Sequence, residues 1–396
     1  MKKGWEYKKL GEVGTFSRGI NFAKSDFVKD GFPCIHYGQI HTTFGPVTYK
    51  HLSCIPQEIV KKDKLASKGN LVIAITSEDV EGSCKCTAWM GDYDIAVGAH
   101  AAIFKHQLNP IFVSYFFSSP LFQKAKEPYV HGFKVMEIKP SDIAKISIPV
   151  PPLSEQQSIV NYLDSAFAKI DALKANAEKA LGEAKALFQA SLKEMLEPKE
   201  GWEEKKLGDI ADFVRGPFGG SLTKSMFKSS GYAVYEQQHA IHQHINIRYF
   251  IDDAKFKEME RFSVKAGDVI MSCSGVTLGK INILPQDSPA GIINQALLKM
   301  TVKASTNVRF FKYWLESNYF QAIIKKYSGG AAIPNVPAVK ILKDFVISIP
   351  SPPEQHSIVA TLDSLKSKVD RLQENYEKIS KECDALKQAM LREIFE

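Results

Sequence analysis

The sequence predicts an α+β chain of two tandem globular domains, each followed by a long helix, with the two helices paired as a coiled coil. Three observations carry this. Placing Pro151 on Pro350 superposes Glu155-Gln156 on Glu354-Gln355, Ile159-Val160 on Ile358-Val359 and Leu163-Asp164-Ser165 on Leu362-Asp363-Ser364, with no gap to the C-terminus. The second copy spaces Ile358, Leu362, Leu365, Val369, Leu372, Tyr376, Ile379, Cys383, Leu386 and Met390 in alternating steps of four and three, the a/d rhythm of a coiled coil. The regions between these copies also repeat, since Gly4-Trp5-Glu6-x-Lys8-Lys9-Leu10-Gly11 returns as Gly201-Trp202-Glu203-x-Lys205-Lys206-Leu207-Gly208.

In chain order, residues 1–150 read as the first domain. After the opening motif come Phe16 and Arg18-Gly19, then a short strand from Phe32 to Ile35 running into a polar loop at His36-Tyr37-Gly38-Gln39. Leu71 to Ser77 is a strand ending in a hydroxyl-rich turn, and Phe112 to Lys126 is a closing helix. Residues 151–198 form the first long helix. Prolines 149, 151 and 152 stop the preceding strand, Ser154-x-x-Gln157 has capping-box form, and Glu197-Pro198 ends the helix. Its seam keeps the register of the second copy through Ile159, Leu163, Ala166, Ile170, Leu173, Ala177, Ala180, Ala184 and Leu187. Residues 199–349 repeat the domain, with Phe213, Arg215-Gly216, a strand from Tyr232 into Glu236-Gln237-Gln238-His239, a strand through Gly267–Gly275, and a helix from Arg309 to Lys326. Residues 350–396 are the second long helix, entered through Ser351-x-x-Glu354. Each helix is about 40 residues, or roughly 60 Å at about 1.5 Å per residue. Small seam residues in the first copy face large ones in the second, which suits pairing between the two copies.

A chain of 396 residues, 44% apolar and 24% charged, has ordinary globular composition. No segment approaches a membrane span and the start leads into no apolar leader, so the expectation is a cytoplasmic protein. Six scattered cysteines make no disulfide framework. Cys84-x-Cys86 with Cys54 or His51 is the one conceivable metal set, and plain buried cysteines are the favoured reading. The net charge of +7 is unevenly placed: residues 1–150 carry 19 basic against 14 acidic side chains and 201–349 carry 19 against 13, whereas 151–200 carry 6 against 8 and 350–396 carry 7 against 9. Basic domains on a non-basic frame fit a polyanionic partner.

Motifs for bond-making chemistry fail one by one. Gly275-Val276-Thr277-Leu278-Gly279-Lys280-Ile281 is one residue short of a phosphate loop and has isoleucine where a magnesium-binding hydroxyl belongs. The Pro-Pro pairs sit at helix entries, with no Asn/Asp before them and no aromatic residue after to hold a flipped base; Glu137-Ile138-Lys139 lacks an upstream acid for a nuclease; and the histidines show no metalloprotease spacing. The expectation is therefore a non-catalytic chain that holds no metal. The loops instead carry residue types that read nucleic acid, because Gln and Asn pair with adenine, Arg and Lys with guanine, and Ser, Thr and Tyr with phosphate or base edges. In the first domain these are Arg18, Asn21, Lys24, Tyr37, Gln39, His41, Thr42, Lys85 and Lys134; in the second, Arg215, Lys224, Tyr235, Gln237, Gln238, His239, Ser274, Thr277, Lys280 and Asn335. They fall where the two copies diverge while the frames agree, as two modules of one fold reading two sequences would require.

The opening Gly-Trp-Glu-x-x-Lys-Leu-Gly, the entry Ile148-Pro149-x-Pro151-Pro152-Leu153-x-Glu155-Gln156-x-x-Ile159-Val160, and the repetition of both resemble the specificity (S) subunit of type I restriction-modification systems along the whole chain. The second entry, Pro-Ser-Pro-Pro-Glu-Gln, departs by lacking the leucine. The resemblance implies two target recognition domains, each reading half of a bipartite site in double-stranded DNA, and two long helices forming an antiparallel coiled coil. It implies as partners two methyltransferase (M) subunits, which supply S-adenosylmethionine and the adenine chemistry, and nuclease-translocase (R) subunits; the chain itself binds no cofactor. Phe167, Leu181, Phe188 and Met195 occupy one further heptad position, and the helices finish in Leu192, Met195 and Leu196 and in Leu391, Ile394 and Phe395. An apolar stripe outside a seam marks an interface, so these residues are the expected docking points for the M subunits, with packing on the chain's own domains as the competing use. Two other classes stay open: an autonomous methyltransferase with an irregular motif, and a coiled-coil scaffold without a DNA role.

Overall fold

The computed structural model describes residues 4–242, 245–327 and 335–396; residues 1–3 of the expected first domain and 243–244 and 328–334 of the second lie outside it. The compact units do not divide at the ends of the long helices but through them. One unit is Met1–Glu178 with Tyr376–Glu396, the other Lys179–Asn375.

In the first unit Glu6–Lys9 pairs antiparallel with Ser147–Val150, so the start of the domain is tied to the strand that enters the central helix, Leu153–Leu196. A five-stranded sheet built around Ala101–His106, between Gly14–Arg18 and Leu71–Ala74, forms one layer, and a four-stranded sheet containing Phe32–Ile35 and Ile95–Val97 forms another. The second unit repeats this plan. Glu203–Lys206 pairs with Val346–Ile349 ahead of the C-terminal helix, Pro352–Phe395; Leu297–Val302 lies between Ala211–Arg215 and Val269–Ser272; and Tyr232–Tyr235 pairs parallel with Gly291–Ile293.

The repeated motifs turn out to bond to each other. In each unit the glutamine of Glu-Gln is 1% exposed; Gln156 Oε1 accepts from the Asn109 N–H at 2.8 Å and its amide donates to Pro151 O at 2.8 Å. Gln355 does the same with Asn307 N–H at 2.7 Å and Pro350 O at 2.9 Å. The glutamates take the tryptophans of the opening motif, Trp5 Nε1 to Glu155 at 2.9 Å and Trp202 Nε1 to Glu354 at 3.2 Å. Tyr115 donates to Asp164 and Tyr313 to Asp363, at 2.5 and 2.7 Å. Each helix entry is thus clamped to its domain, and it is the buried glutamine of each that would be left unsatisfied without its backbone partners.

Several expectations change. The expected capping box at Ser154-x-x-Gln157 is absent because the helix begins at Leu153, which puts Ser154 inside the first turn; Gln157 instead accepts from Asn109 Nδ2. The closing helices are each broken in two, Pro110–Ser118 with Pro120–Lys126 and Val308–Glu316 with Asn318–Tyr327. At the breaks Ser119 and Ser317 hydroxyls donate back to Phe116 O and Trp314 O, both at 2.6 Å, and accept the N–H three residues on, so the serine side chain replaces a helical turn. The polar loops after Ile35 and Tyr235 are short helices, Tyr37–Thr42 and Gln237–Ile241.

The seam is also rotated. Leu163, Ile170, Leu362, Val369 and Cys383 are buried as expected, but Leu173, Leu187, Leu372 and Leu386 are 54, 62, 38 and 51% exposed. In the first helix the positions one residue further on turn inward instead: Leu181 and Phe188 are buried and Phe167 and Lys174 half-buried, with the Lys387 ammonium 5.2 Å from the centre of the Phe167 ring. Within the first unit Lys174 bonds Asp384 and Asp171 bonds Lys387; within the second Lys185 bonds Gln373, so one helix number falls as the other rises and the pair is antiparallel.

The expected docking points pack on the chain's own domains, the competing use. Phe188, Leu192 and Leu196 are 8, 1 and 8% exposed in the core of the second unit, where Met195 also packs and Phe188 meets Tyr313 at 6.4 Å. Leu391 and Phe395 are 2 and 1% exposed in the core of the first, with Ile394 packed on it and Phe395 against Phe112 and Phe116 at 5.3 and 5.6 Å. Phe167 meets Tyr115 edge-on at 5.4 Å, and Leu181 is 6% exposed. A fully buried phenylalanine or leucine contributes about 1.5–3 kcal/mol, which is why these side chains serve their own domains.

Candidate nucleic-acid interface

The first domain gathers its polar candidates beside one set of strand ends. Arg18 finishes the strand Gly14–Arg18, donates through Nε to Ala99 O at 3.0 Å, and bonds the Glu137 carboxylate through Nη2. Glu137 sits on a hairpin, His131–Gly132 with Met136–Glu137, that pairs with Thr76–Ser77. His41 Nε2 lies 3.0 Å from Thr76 O, and Tyr37 packs on His36, His41 and His100 with centroids 4.6, 6.0 and 5.0 Å away. Burial, with Lys24 and His100 nearby, holds the His36 imidazole below its ordinary value, so it stays neutral and accepts the Gly38 N–H. Lys134 is exposed at the hairpin tip beside Phe133, which is 93% exposed. Asn21 and Lys24 are exposed just beyond the bridge between Ile20 and Gly98.

Lys85 is exposed at the end of a loop whose shape is set from beneath by a cation. The Lys126 ammonium is fully buried and donates to Glu81 O at 3.0 Å and to Ser83 O, and burial lowers its affinity for the proton. Cys84, in that loop, has φ 61 and no exposure, and burial pushes its thiol up to about 12. Gln39 and Thr42 are occupied internally: Gln39 accepts from His36 N and donates to Ser53 Oγ at 2.8 Å, and Thr42 bonds Gly38 O.

The second domain assembles the corresponding place from different residues. Arg215 Nη2 donates to Asn335 Oδ1 at 2.9 Å, its guanidinium lies 5.4 Å from the Phe218 ring, and Asn335 bridges to Ser274. One amide group, Gln237 Nε2, is within 2.7, 2.7 and 2.8 Å of Ser272 Oγ, Ser274 O and Thr277 Oγ1, so it braces the Ser274–Thr277 turn. At the crest of that turn Val276 is wholly exposed, and Lys280 is exposed where the turn ends. Lys224 is exposed, and Gln238 donates to Glu236 at 3.2 Å. Tyr235 and His239 are 0 and 1% exposed: the Tyr235 hydroxyl donates to Pro289 O, and the His239 ring is held between Glu236 N and Asn246 O. These two candidates therefore support the site from inside, because buried, partnered polar groups have no capacity left for a base.

Sequence reasoning does not single out His100, Phe133, Phe218, Val276 or Arg248, the last of which grips Glu236 with two bonds at 3.1 and 3.0 Å. Glu137 enters it only as part of a chance Glu-x-Lys pattern. The signal for Glu137 is its position against Asn335, and the intervening loops differ too much in sequence for that alignment to be read without the strand pairing. Among the described residues no group of three or more His, Cys, Asp and Glu is placed to hold a metal ion.

A family model, Type I restriction modification DNA specificity domain, matches residues 2–181 and again 199–381. The chain is 23% identical over 423 residues to the type I restriction enzyme EcoKI specificity subunit of Escherichia coli K12, covering 100% of this chain and 89% of that protein. It is 25% identical over 198 residues to the StySPI specificity subunit of Salmonella potsdam, covering 48% of this chain and 42% of the relative. Among solved structures, a chain from a study of complex assembly and conformational transition in the type I R-M system superposes with a TM-score of 0.78 at 18% identity, covering 99% of this chain and 97% of that one. The HsdS subunit of Thermoanaerobacter tengcongensis superposes at 0.58 and 18% identity, covering 99% and 96%.

Proposed function

Because the chain belongs to the type I restriction-modification DNA specificity family, and so is a DNA specificity subunit, we propose that it recognises a bipartite double-stranded target, one half with each domain. The observation that carries this is the pairing of two copies of one frame, clamped alike at every repeated motif, with different polar residues at the matching strand ends. The chain makes and breaks no bonds itself. Two methyltransferase subunits bring S-adenosylmethionine and modify adenine, nuclease-translocase subunits cleave, and the assembly works in the cytoplasm. No helix of the described residues is long and apolar enough to cross a membrane.

The methyltransferase subunits dock on the helical faces turned away from the domains. Leu173 and Leu386 are exposed in the first unit and Leu187 and Leu372 in the second, one residue before the positions that pack inward. The two pairs correspond through the internal repeat, which suits two copies of one partner. The test is to express the chain with and without its cognate methyltransferase subunits and sequence the methylome of the host. Two fixed, differing half-sites methylated only when both components are present is the expected result; site-specific methylation by this chain alone would establish the autonomous-enzyme reading instead.

A further inference from the structure

The same arginine ends the same strand in both domains, yet its partner differs in charge. Arg18 pairs across from Ala102 and Arg215 across from Leu298 in equivalent antiparallel ladders. Each guanidinium reaches one residue on the neighbouring segment: Glu137, paired with Thr76, in the first domain and Asn335, bridged to Ser274, in the second. Those two residues are true counterparts, because the N–H after each bonds the matching carbonyl, Ile138 to Ile75 at 3.0 Å and Val336 to Cys273 at 2.9 Å. Resting on the DNA-specificity reading above, we propose that residue 137 or 335 decides whether this arginine binds a DNA phosphate: Asn335 orients a live cation at Arg215, and Glu137 silences Arg18.

The physical reason is net charge at a half-exposed point. The Arg18 and Glu137 side chains are 49 and 46% exposed, so their mutual attraction is weak in water. Phosphate meets a neutral pair there, and using Arg18 would strand a carboxylate against a polyanion. Arg215 has no such cost. Its Nη2 is held by a neutral amide, its guanidinium carbon lies 5.4 Å from the centre of the Phe218 ring, its Nε is buried without a partner, and among the described residues no carboxylate forms an ion pair with it.

The test uses the complete complex with the methyltransferase subunits and a duplex carrying the site its methylome defines, with affinity measured across a salt series. Each phosphate contact steepens the log–log salt slope by about 0.9. Arg215→Ala and Asn335→Glu should each flatten the slope by about that amount, and the double variant by no more than either. Glu137→Asn should steepen it by the same amount, and adding Arg18→Ala should return it to the starting value, while Arg18→Ala alone changes little. Circular dichroism and thermal midpoints identify any variant that fails to fold, and Arg215→Gln and Asn335→Asp then replace it. Equal slopes for Arg18→Ala and Arg215→Ala, an unmoved slope in Glu137→Asn, or an altered base preference without a slope change would overturn the proposal. Absence of any defined methylated site in the unmodified complex would instead overturn the underlying reading.

Discussion

At the scale of single residues, the clamp at each helix entry concentrates stability in side chains that look unremarkable in the sequence. Replacing Gln355 with Ala orphans the Asn307 N–H and the Pro350 carbonyl in a site 1% exposed, and each unsatisfied group costs about 1–3 kcal/mol. The expected result is a lower urea midpoint for Gln355→Ala and for Gln156→Ala, and a near-normal one for Gln157→Ala; equal midpoints for all three would remove the clamp. The tyrosines add a pH dependence of definite sign. Burial, then the bond to Asp164 or Asp363, raises the Tyr115 and Tyr313 hydroxyls above their ordinary 10.0. A group raised in the folded state stabilises fully below its unfolded value and loses that contribution as pH climbs past it. Stability should therefore fall above pH ~10, and Tyr115→Phe with Tyr313→Phe should blunt that fall, read by denaturant titrations at stepped alkaline pH. Gln237, whose amide nitrogen lies within 2.8 Å of Ser274 O and Thr277 Oγ1, acts through the shape of the Ser274–Thr277 turn, so Gln237→Ala should relax one half-site in the methylome and leave the other intact.

At the scale of elements, the long helices divide their leucines and phenylalanines between two uses. The inward set builds domain cores, so Phe395→Ala and Phe188→Ala should each cost about 3–5 kcal/mol, measured by chemical denaturation. The outward set, Leu173, Leu386, Leu187 and Leu372, is 54, 51, 62 and 38% exposed. Changing Leu173 and Leu386 to Ser should leave the unfolding free energy within about 0.5 kcal/mol of the original and yet remove one methyltransferase subunit from the assembly on a sizing column with light scattering. Retention of both subunits would exclude that face. The repeat also bears on the closing helices: their break at Ser119 and Ser317 occurs with and without a following proline, so the serine hydroxyl, common to both copies, is the shared cause.

At the scale of the whole molecule, duplication separates the two tasks of a specificity protein. What must be alike is alike: the strand tying each domain to its helix, the buried glutamine, the tryptophan–glutamate bond and the tyrosine–aspartate bond occur in both units. What must differ lies on loops that these bonds do not touch. Exchanging residues 201–349 for the corresponding domain of another family member should therefore change one half of the methylated site and preserve the other, read by methylome sequencing; a change in both halves would show that the domains are not independent readers.

The sequence by itself determined the duplicated plan and the two long helices, because identical residues at one register impose identical backbone paths and a sustained seven-residue apolar rhythm calls for a paired helix; the bonds that clamp the helix entries came only with the tertiary structure. It also named the polar loops, since those are the segments free to diverge when the frame cannot. Which face of each helix turns inward was decided by tertiary structure. Two apolar series one residue apart compete for the seam, and the choice falls to the series of Phe167 and Phe188, which meet the aromatic walls of the domains at Tyr115 and Tyr313. The division of the loop residues was likewise tertiary. Tyr235 and His239 point into the core, Gln237 into its own turn, and Arg18 onto a carboxylate more than a hundred residues away in the chain. Side-chain direction and long-range charge pairing arise only when strands are brought side by side, and no local pattern in the sequence encodes either.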